Sequence, residues 1–362
     1  MSNKPETFEK KKKSNRTEIG VPPILGDNVW NVIFGAFLVS TSYFITGSIL
    51  KIKEFIENTK KYDLVSYPWP KAKDLVPSIY ILPIIGIVKK IIETLAKYPV
   101  EHCLARKYKH PENKEMEIKA NVYRTKLARH IYKISYYTFI TIFGYIVLKP
   151  LDFFPKSMLG NGSTYNLFIK GYPASHFFTK TKYFDLYYNI CLAYFSYDFI
   201  ALFIMPKQND FIYMLLHHVC TLSLIIFSFL TNYSNIGSLI LFFHNETDMH
   251  LHITQFLIQT DHKIIMGCFG ITLMFDFLYM RQYVFGEIMY VTYHYLKDKW
   301  GIVNITFYFF LSILFIMHVR WTIILIYKTI DLVFKKKEIV DVVTYKEEEK
   351  KKMEKLKGKK VE

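Results

Sequence analysis

Long runs of apolar residues are the feature of this sequence that most restricts its fold. Hydrophobic residues make up 51% of the 362-residue chain, and they are gathered into blocks instead of lying along one face of a helix. A helix needs about twenty apolar residues to cross the ~30 Å hydrocarbon core of a bilayer. We therefore predict an all-α, polytopic membrane bundle of about seven or eight transmembrane helices. The predicted spans are 28–50, 76–98, 131–149, 183–205, 211–230, 236–258, 264–285 and 303–330.

Basic residues indicate how these spans are oriented. The formal net charge is +16, and Lys and Arg concentrate outside the predicted spans. In a polytopic protein such residues set the topology and contact anionic lipid, so we expect membrane lipid and no nucleic acid among the partners. The segment 99–133 holds nine Lys or Arg and is predicted to be cytoplasmic. With eight spans, both termini are then cytoplasmic as well.

Two short motifs agree with this topology, and one segment opposes it. The sequon Asn161-Gly162-Ser163 falls on the predicted lumenal side, where glycosylation acceptors are used. Lys359 and Lys360 form a dilysine pattern typical of an endoplasmic-reticulum retrieval signal. The segment 51–75 is predicted to be lumenal although it contains six Lys. We expect a multi-pass protein of the endoplasmic-reticulum membrane.

Polar residues inside two successive predicted spans mark a candidate site. His217 and His218 lie in the fifth span, and His244, Asn245 and Asp248 lie in the sixth. Ionisable side chains are costly at membrane depth and usually face a cavity or a reacting centre. These residues are therefore predicted to border one polar pocket in the cytoplasmic half of the membrane.

Helical spacing adds a further histidine to the candidates. His244, Asp248 and His252 are spaced i, i+4 and i+8, so they are predicted to share one helix face. The adjacent residues His217 and His218 point ~100° apart and would border the same pocket only from its corner.

Histidine and aspartate in such a pocket suit acyl transfer. A neutral imidazole accepts a proton near physiological pH, or attacks an activated acyl group to give an acyl-histidine that an amine then opens. A carboxylate such as Asp248 fixes the imidazole tautomer and stabilises the imidazolium. Two alternatives stay open: three or four of the histidines bind one zinc ion, or they only form hydrogen bonds between helices. The four cysteines lack C-x-x-C spacing and indicate neither a disulfide framework nor a zinc site.

The segment 217–257 resembles the Lag motif of the TLC domain, the signature of ceramide synthases. It reads His217-His218-Val-Cys-Thr-Leu, then Ile236-Gly237, then His244-Asn245-Glu-Thr-Asp248, with the family's spacing and without a gap. Weaker likeness extends over 76–330. It includes the opening segment from Lys126 to Gly144 and an arginine, Arg281, before a late aromatic stretch.

Three positions depart from the family pattern. Asn235 stands where the family has an arginine, Asn245 replaces the second residue of His-Asp, and His252 occupies a position that is usually acidic. An asparagine cannot hold a negative charge, but it still accepts a hydrogen bond.

The resemblance implies a TLC-type bundle and a ceramide synthase, which joins a fatty acyl group from acyl-CoA to the amine of a sphingoid base. His217, His218, His244 and Asp248 would be catalytic in such an enzyme, and Asn245, Arg281 and His252 would contact substrate. Acyl-CoA and the sphingoid base are the implied partners, without a metal or an organic cofactor. A homo- or heterodimer is compatible with the resemblance.

The predicted organisation follows from spans, charge and resemblance. It consists of a cytoplasmic Lys-rich tail (1–27), two spans (28–98), a basic cytoplasmic connection (99–125), the TLC domain (126–333) and a charged cytoplasmic tail (334–362). The second hypothesis, favoured by Asn245 and His252, is a non-catalytic TLC protein that binds lipid or assists membrane insertion.

Overall fold

The computed structural model describes residues 27–60, 69–104, 106–111, 114–168, 180–205, 211–260, 262–297 and 301–335. No β-strand occurs among them, which confirms the all-α prediction. The α-helices are α1 (Asp27–Lys60), α2 (Pro77–Leu95), α3 (Lys97–Cys103), α4 (Arg106–Lys109), α5 (Lys114–Leu148), α6 (Phe184–Ile204), α7 (Phe211–Leu230), α8 (Ser234–Leu257), α9 (Lys263–Leu278), α10 (Phe285–Leu296) and α11 (Ile302–Lys335). Short 3₁₀ turns occupy Ala72–Leu75, Lys156–Met158 and Thr164–Phe168, and a π-helical turn, Tyr279–Val284, joins α9 to α10.

Seven of the described helical segments are long and apolar enough to cross a membrane. They are Gly35–Thr59, Ala72–Leu95, Met116–Leu148, Phe184–Ile204, Phe211–Leu230, Ile264–Leu296 and Ile302–Ile330. The chain is therefore a multi-pass membrane protein. The predicted span 236–258 is also helical, as the 24-residue α8, but it is too polar to be one of these seven.

Each of the eight predicted spans falls on a helix, and their order agrees, but the lengths often differ. The helix predicted at 131–149 begins at Lys114, and the one predicted at 264–285 continues through the π turn to Leu296. Hydropathy identifies only the apolar part of a helix, so the predicted spans do not include polar helical turns that lie outside the hydrocarbon. Residues 1–26 and 336–362, with Lys359 and Lys360, lie outside the described residues.

The chain divides into two compact units at residue 39. The described part of the first unit, 27–39, is the opening of α1, and the second unit contains the remainder of the bundle. Within the second unit α1 packs on α11, since Ser48 Oγ donates a hydrogen bond to Thr306 Oγ1 at 2.7 Å. The ring of Phe44 lies 4.5 Å from that of Phe309.

Polar contacts place three connections at one end of the bundle. Trp69 Nε1 donates to the carbonyl of Leu230 at the end of α7 (3.0 Å), and Asn235 Nδ2 donates to the carbonyl of Leu167 (3.1 Å). The segments before α2, between α5 and α6, and between α7 and α8 therefore meet at this end. The predicted topology assigns these same three connections to the lumen, so it is internally consistent.

Lys89 interrupts the apolar sequence of α2 but does not break the helix. Its side chain is buried, and its ammonium lies 5.1 Å from the ring centre of Tyr197 and 5.9 Å from that of Tyr132. Attraction between a cation and aromatic faces offsets part of the cost of burying this charge.

Gly237 allows α8 to approach α6 and α7 closely. A Cβ atom at this position would lie 2.5 Å from Tyr188 Oη and 2.6 Å from Ser228 Oγ. Those two hydroxyls are themselves 2.6 Å apart, and Tyr188 Oη also donates to the carbonyl of Ile225 (3.0 Å). The Ile236-Gly237 pair of the sequence motif thus lies where three helices converge.

We predict that Gly237→Ala destabilises the bundle by about 1–3 kcal/mol, the usual cost of forcing extra atoms into a packed core. Thermal unfolding of the detergent-purified protein measures the change. The matched control is Gly267→Ala in α9, where nothing lies within 4 Å of the added methyl group. Equal midpoints for the two variants would contradict the close approach at Gly237.

Candidate active site

The adjacent histidines of α7 lie inside the bundle. His217 and His218 are 8% and 6% exposed, and their ring centres are 5.6 Å apart. The rings of His217 and of Trp321 in α11 pack edge to face, with their centres 5.0 Å apart. The Nδ1 atom of each histidine is buried and has no hydrogen-bond partner. Both residues therefore offer a ring nitrogen for another group to bind.

His244 of α8 is paired with His318 of α11, and the contacts fix the tautomers of the neutral pair. His244 Nδ1 lies 2.7 Å from the carbonyl oxygen of Ile240, and a carbonyl only accepts, so Nδ1 carries the proton. His244 Nε2 must then accept from His318 Nε2, at 2.9 Å. His318 Nδ1 then carries no proton, and its lone pair is free to accept one. This atom is buried and has no hydrogen-bond partner.

Trp321 links the two pairs of histidines. Its ring lies 5.0 Å from that of His217 and 6.2 Å from that of His318, measured between centres. We call His217, His218, His244 and His318 the histidine cluster. It joins α7, α8 and α11 inside the bundle.

Asp248 contacts an arginine in this structure, not an imidazole. Its Oδ1 accepts a hydrogen bond from Nη2 of Arg281, which is only 3% exposed and lies in the π-helical turn. Arg281 also donates from Nε to Thr247 Oγ1 (2.7 Å) and from Nη2 to the carbonyl of His244 (3.2 Å). The ion pair therefore ties the π turn to the helix that carries His244. The catalytic role of Asp248 and the substrate role of Arg281 stay predictions.

The three polar residues that were predicted to share one face of α8 do not lie together. His244 faces α11, Asp248 faces the π turn, and His252 contacts α5, where its ring stacks on Tyr137 at 5.4 Å. Eight residues turn a helix by two turns and about 80°, and they rise about 12 Å. His252 therefore has its own surroundings, and its Nδ1 pairs with Gln255 Oε1 at 2.9 Å.

Asn245 faces α6. It is fully buried, its Nδ2 donates weakly to Cys191 Sγ at 3.5 Å, and its Oδ1 has no hydrogen-bond partner. An unpaired buried amide oxygen is costly, so this atom remains able to accept a hydrogen bond. Its predicted contact with substrate is untested.

A small cavity of about 20 Å³ adjoins the histidine cluster. Its wall is mostly apolar, contributed by α6, α7, α8 and α11, and it includes Phe195, Thr221, Leu224, Ile240, His244 and Leu314. Thr221 lies one helical turn beyond the adjacent histidines, and its buried hydroxyl has no hydrogen-bond partner. His244 and Gly237, both on α8, each line this cavity.

Sequence reasoning missed His318 and Trp321. Both lie within the last predicted span, 303–330, where a histidine is as conspicuous as His217 in its own span. The signal that finds His318 is the same cost of an ionisable side chain at membrane depth. The pairing with His244 depends on which helices are neighbours, and the sequence does not specify that.

Comparison with known proteins identifies the family. A model of the TLC domain matches residues 126–327, more than half of the chain. The protein therefore belongs to the TLC-domain family, which confirms the resemblance drawn from the Lag motif.

Named relatives cover only part of the chain. Human ceramide synthase 1 is 31% identical over 139 residues, which are 34% of this chain and 39% of the relative. Human ceramide synthase 4 is 28% identical over 124 residues, 33% and 31% of the two chains. Arabidopsis thaliana ceramide synthase 1 LOH3 is 26% identical over 158 residues, 41% and 51% of the two chains. The matched region thus spans about a third to a half of these relatives.

We predict that Asp248 and Arg281 are energetically coupled. Arg281→Met leaves a partly buried carboxylate, 19% exposed, without its partner and should destabilise the protein by up to about 3–5 kcal/mol, the usual loss for a fully buried pair. Adding Asp248→Asn removes the stranded charge, so the double variant should be more stable than Arg281→Met alone. Thermal unfolding of the two single variants and the double variant gives the coupling. Additive losses would show that the two side chains do not interact.

Proposed function

We propose that this protein is a ceramide synthase that transfers a fatty acyl group from acyl-CoA to the amine of a sphingoid base. The observation that carries the proposal is the histidine cluster, in which three buried ring nitrogens, Nδ1 of His217, His218 and His318, have no hydrogen-bond partner. Membership of the TLC family and relatives named ceramide synthase support the same reaction.

The reaction forms a C–N bond and breaks the C–S bond of the thioester. The attacking amine loses one proton, and the departing CoA thiolate gains one. A histidine that first receives the amine proton and then releases it to sulfur accomplishes both transfers. Alternatively, an imidazole nitrogen displaces CoA to form an acyl-histidine, and the amine then displaces the imidazole.

We assign the reacting carbonyl to a position beside His217 and His218, which requires side chains around them to move because the described cavity is lined by His244 but by neither of these two residues. Their Nδ1 atoms are not engaged by the protein, so either ring is able to act as nucleophile or base. His318 Nδ1 is a second proton acceptor. A proton taken there leaves a cation that His318 shares with His244 through their Nε2 contact, and the Ile240 carbonyl at His244 Nδ1 stabilises it.

The apolar cavity beside His244 suits the fatty chain, and the basic segment suits CoA. The cavity is too small for a whole acyl chain, so binding would require its walls to open. The Lys and Arg residues of 106–133 would attract the CoA phosphates at the cytoplasmic face. This arrangement suits a multi-pass protein whose basic segment faces the cytoplasm, and we extend the proposal to the endoplasmic-reticulum membrane.

We expect His217→Ala and His218→Ala each to lower N-acyl transfer by about 10²-fold or more, because each removes a candidate base or nucleophile. Microsomes that express each variant are given sphinganine and a panel of acyl-CoAs, and the N-acyl product is quantified by mass. Rates are divided by the amount of membrane-inserted protein. His262→Ala, an exposed histidine at the start of α9, is the matched control. Near-normal specific activity in both α7 variants would refute the catalytic role.

The variant His318→Gln separates a chemical role of His318 from a structural one. Its amide still donates a hydrogen bond to His244 Nε2 but provides no titratable nitrogen. If His318 Nδ1 accepts the proton, turnover falls by about 10²-fold while the thermal midpoint changes little. The pH dependence of turnover is also expected to lose one ionisation. Turnover within a few-fold of the parent protein, with an unchanged pH profile, would restrict His318 to holding His244.

The second candidate function is a non-catalytic TLC protein that binds lipid or assists insertion. The contact that favours it is the engagement of Asp248 by Arg281, so that Asp248 does not serve the histidine cluster as a carboxylate partner. A lipid-binding protein would retain lipid binding but form no N-acyl product from any acyl-CoA.

A further inference from the structure

Three side chains of types that can ligate a metal meet on the side of α8 that faces away from the histidine cluster. Glu246 and His250 are four residues apart, about 200° and 240° around the helix from His244. Asp276 of α9 completes the group. One ligand atom from each of the three lies within 4.8 Å of the other two.

Two of the three distances within this trio match those between neighbouring ligands of a bound metal ion, and the third, between Glu246 and Asp276, is no more than 4.8 Å. His250 Nδ1 is 2.9 Å from Asp276 Oδ2 and 3.4 Å from Glu246 Oε1. At the ~2.1 Å bond length of zinc, neighbouring ligands are separated by about 3.0 Å in an octahedron and about 3.4 Å in a tetrahedron. Small side-chain shifts would therefore bring all three atoms into one coordination sphere.

The two carboxylates of the trio also favour the binding of a cation. Glu246 Oε2 is buried and has no hydrogen-bond partner, and Asp276 lies in an otherwise apolar turn of α9. Among the described residues, His250 is the one ion-pair partner of either carboxylate. A protonated His250 would balance one negative charge, whereas a divalent ion with neutral imidazole balances both. Arg281 is already paired with Asp248.

We propose that Glu246, His250 and Asp276 bind a divalent transition-metal ion of the zinc type. One imidazole and two carboxylates suit zinc, whereas calcium and magnesium favour oxygen ligands alone. The side chains retain 25%, 17% and 11% exposure for His250, Glu246 and Asp276, so a water molecule completes the coordination. The ion ties α8 to α9, the helix that leads into the turn holding Arg281.

Metal uptake by the purified protein tests this site independently of acyl transfer. Protein in detergent is treated with a chelator, dialysed, and titrated with Zn²⁺. We expect saturable uptake of one ion per chain, measured by elemental analysis after gel filtration, and a higher thermal midpoint in the zinc-loaded protein. His250→Gln and Asp276→Asn should each abolish stoichiometric uptake. His294→Gln, an exposed histidine of α10, should bind zinc like the parent protein.

A second measurement keeps the test decisive if a variant fails to fold. Co²⁺ bound to the parent protein should give the visible absorption of a nitrogen and oxygen site, and Zn²⁺ should displace it. Uptake that does not saturate, or equal uptake by the parent protein and a folded His250→Gln variant, would overturn the proposal. The trio would then be an ion pair around a protonated His250.

Discussion

The hydrocarbon region offers no water to polar groups, and the structure of this bundle depends on how α8 meets that constraint. This helix carries three histidines, two carboxylates and Asn245 within 24 residues. Exposing a whole face of it to lipid would therefore be costly. Its neighbours surround it and supply partners: His318 for His244, Arg281 for Asp248, and Asp276 for His250. Each of these contacts joins α8 to another segment, so the polar groups determine which helices pack together.

The π-helical turn between α9 and α10 follows from the same requirement. Arg281 must reach Asp248, Thr247 and the carbonyl of His244, all on α8. A π turn inserts one extra residue into a helix and changes the direction of the side chains around it, and such turns are frequent at functional sites. A guanidinium held by three oxygen acceptors keeps its charge buried at a tolerable cost. Arg281 in this way fixes the part of α8 that presents His244 to His318.

Much of this arrangement is predictable from the sequence. Apolar length alone gives the all-α membrane fold, because few backbone structures satisfy their own hydrogen bonds in lipid. The cost of ionisable groups at membrane depth identifies His217, His218, His244 and Asp248, and it applies equally to His318. Helix ends are less predictable, since hydropathy does not register the polar turns of α5 and α10.

What the sequence does not specify is the arrangement of neighbours around α8. Spacing places His252 near the face of His244, but the 80° offset and the 12 Å rise direct it to α5 instead. The partners His318 and Asp276 lie 74 and 26 residues from the histidines they contact, and no periodic pattern connects such positions. The contact between Asp248 and Arg281 likewise required the π turn, which no sequence pattern indicated.

The proposed activity of this TLC bundle is acyl transfer from a thioester to an amine at the histidine cluster. The most direct measurement uses the purified chain in lipid nanodiscs with sphinganine and isotopically labelled acyl-CoA, free of other membrane proteins. We expect catalytic formation of labelled N-acylsphinganine, with one CoA thiol released per product molecule. Well-folded protein that yields no labelled product with any acyl-CoA from short to very long chains would contradict it.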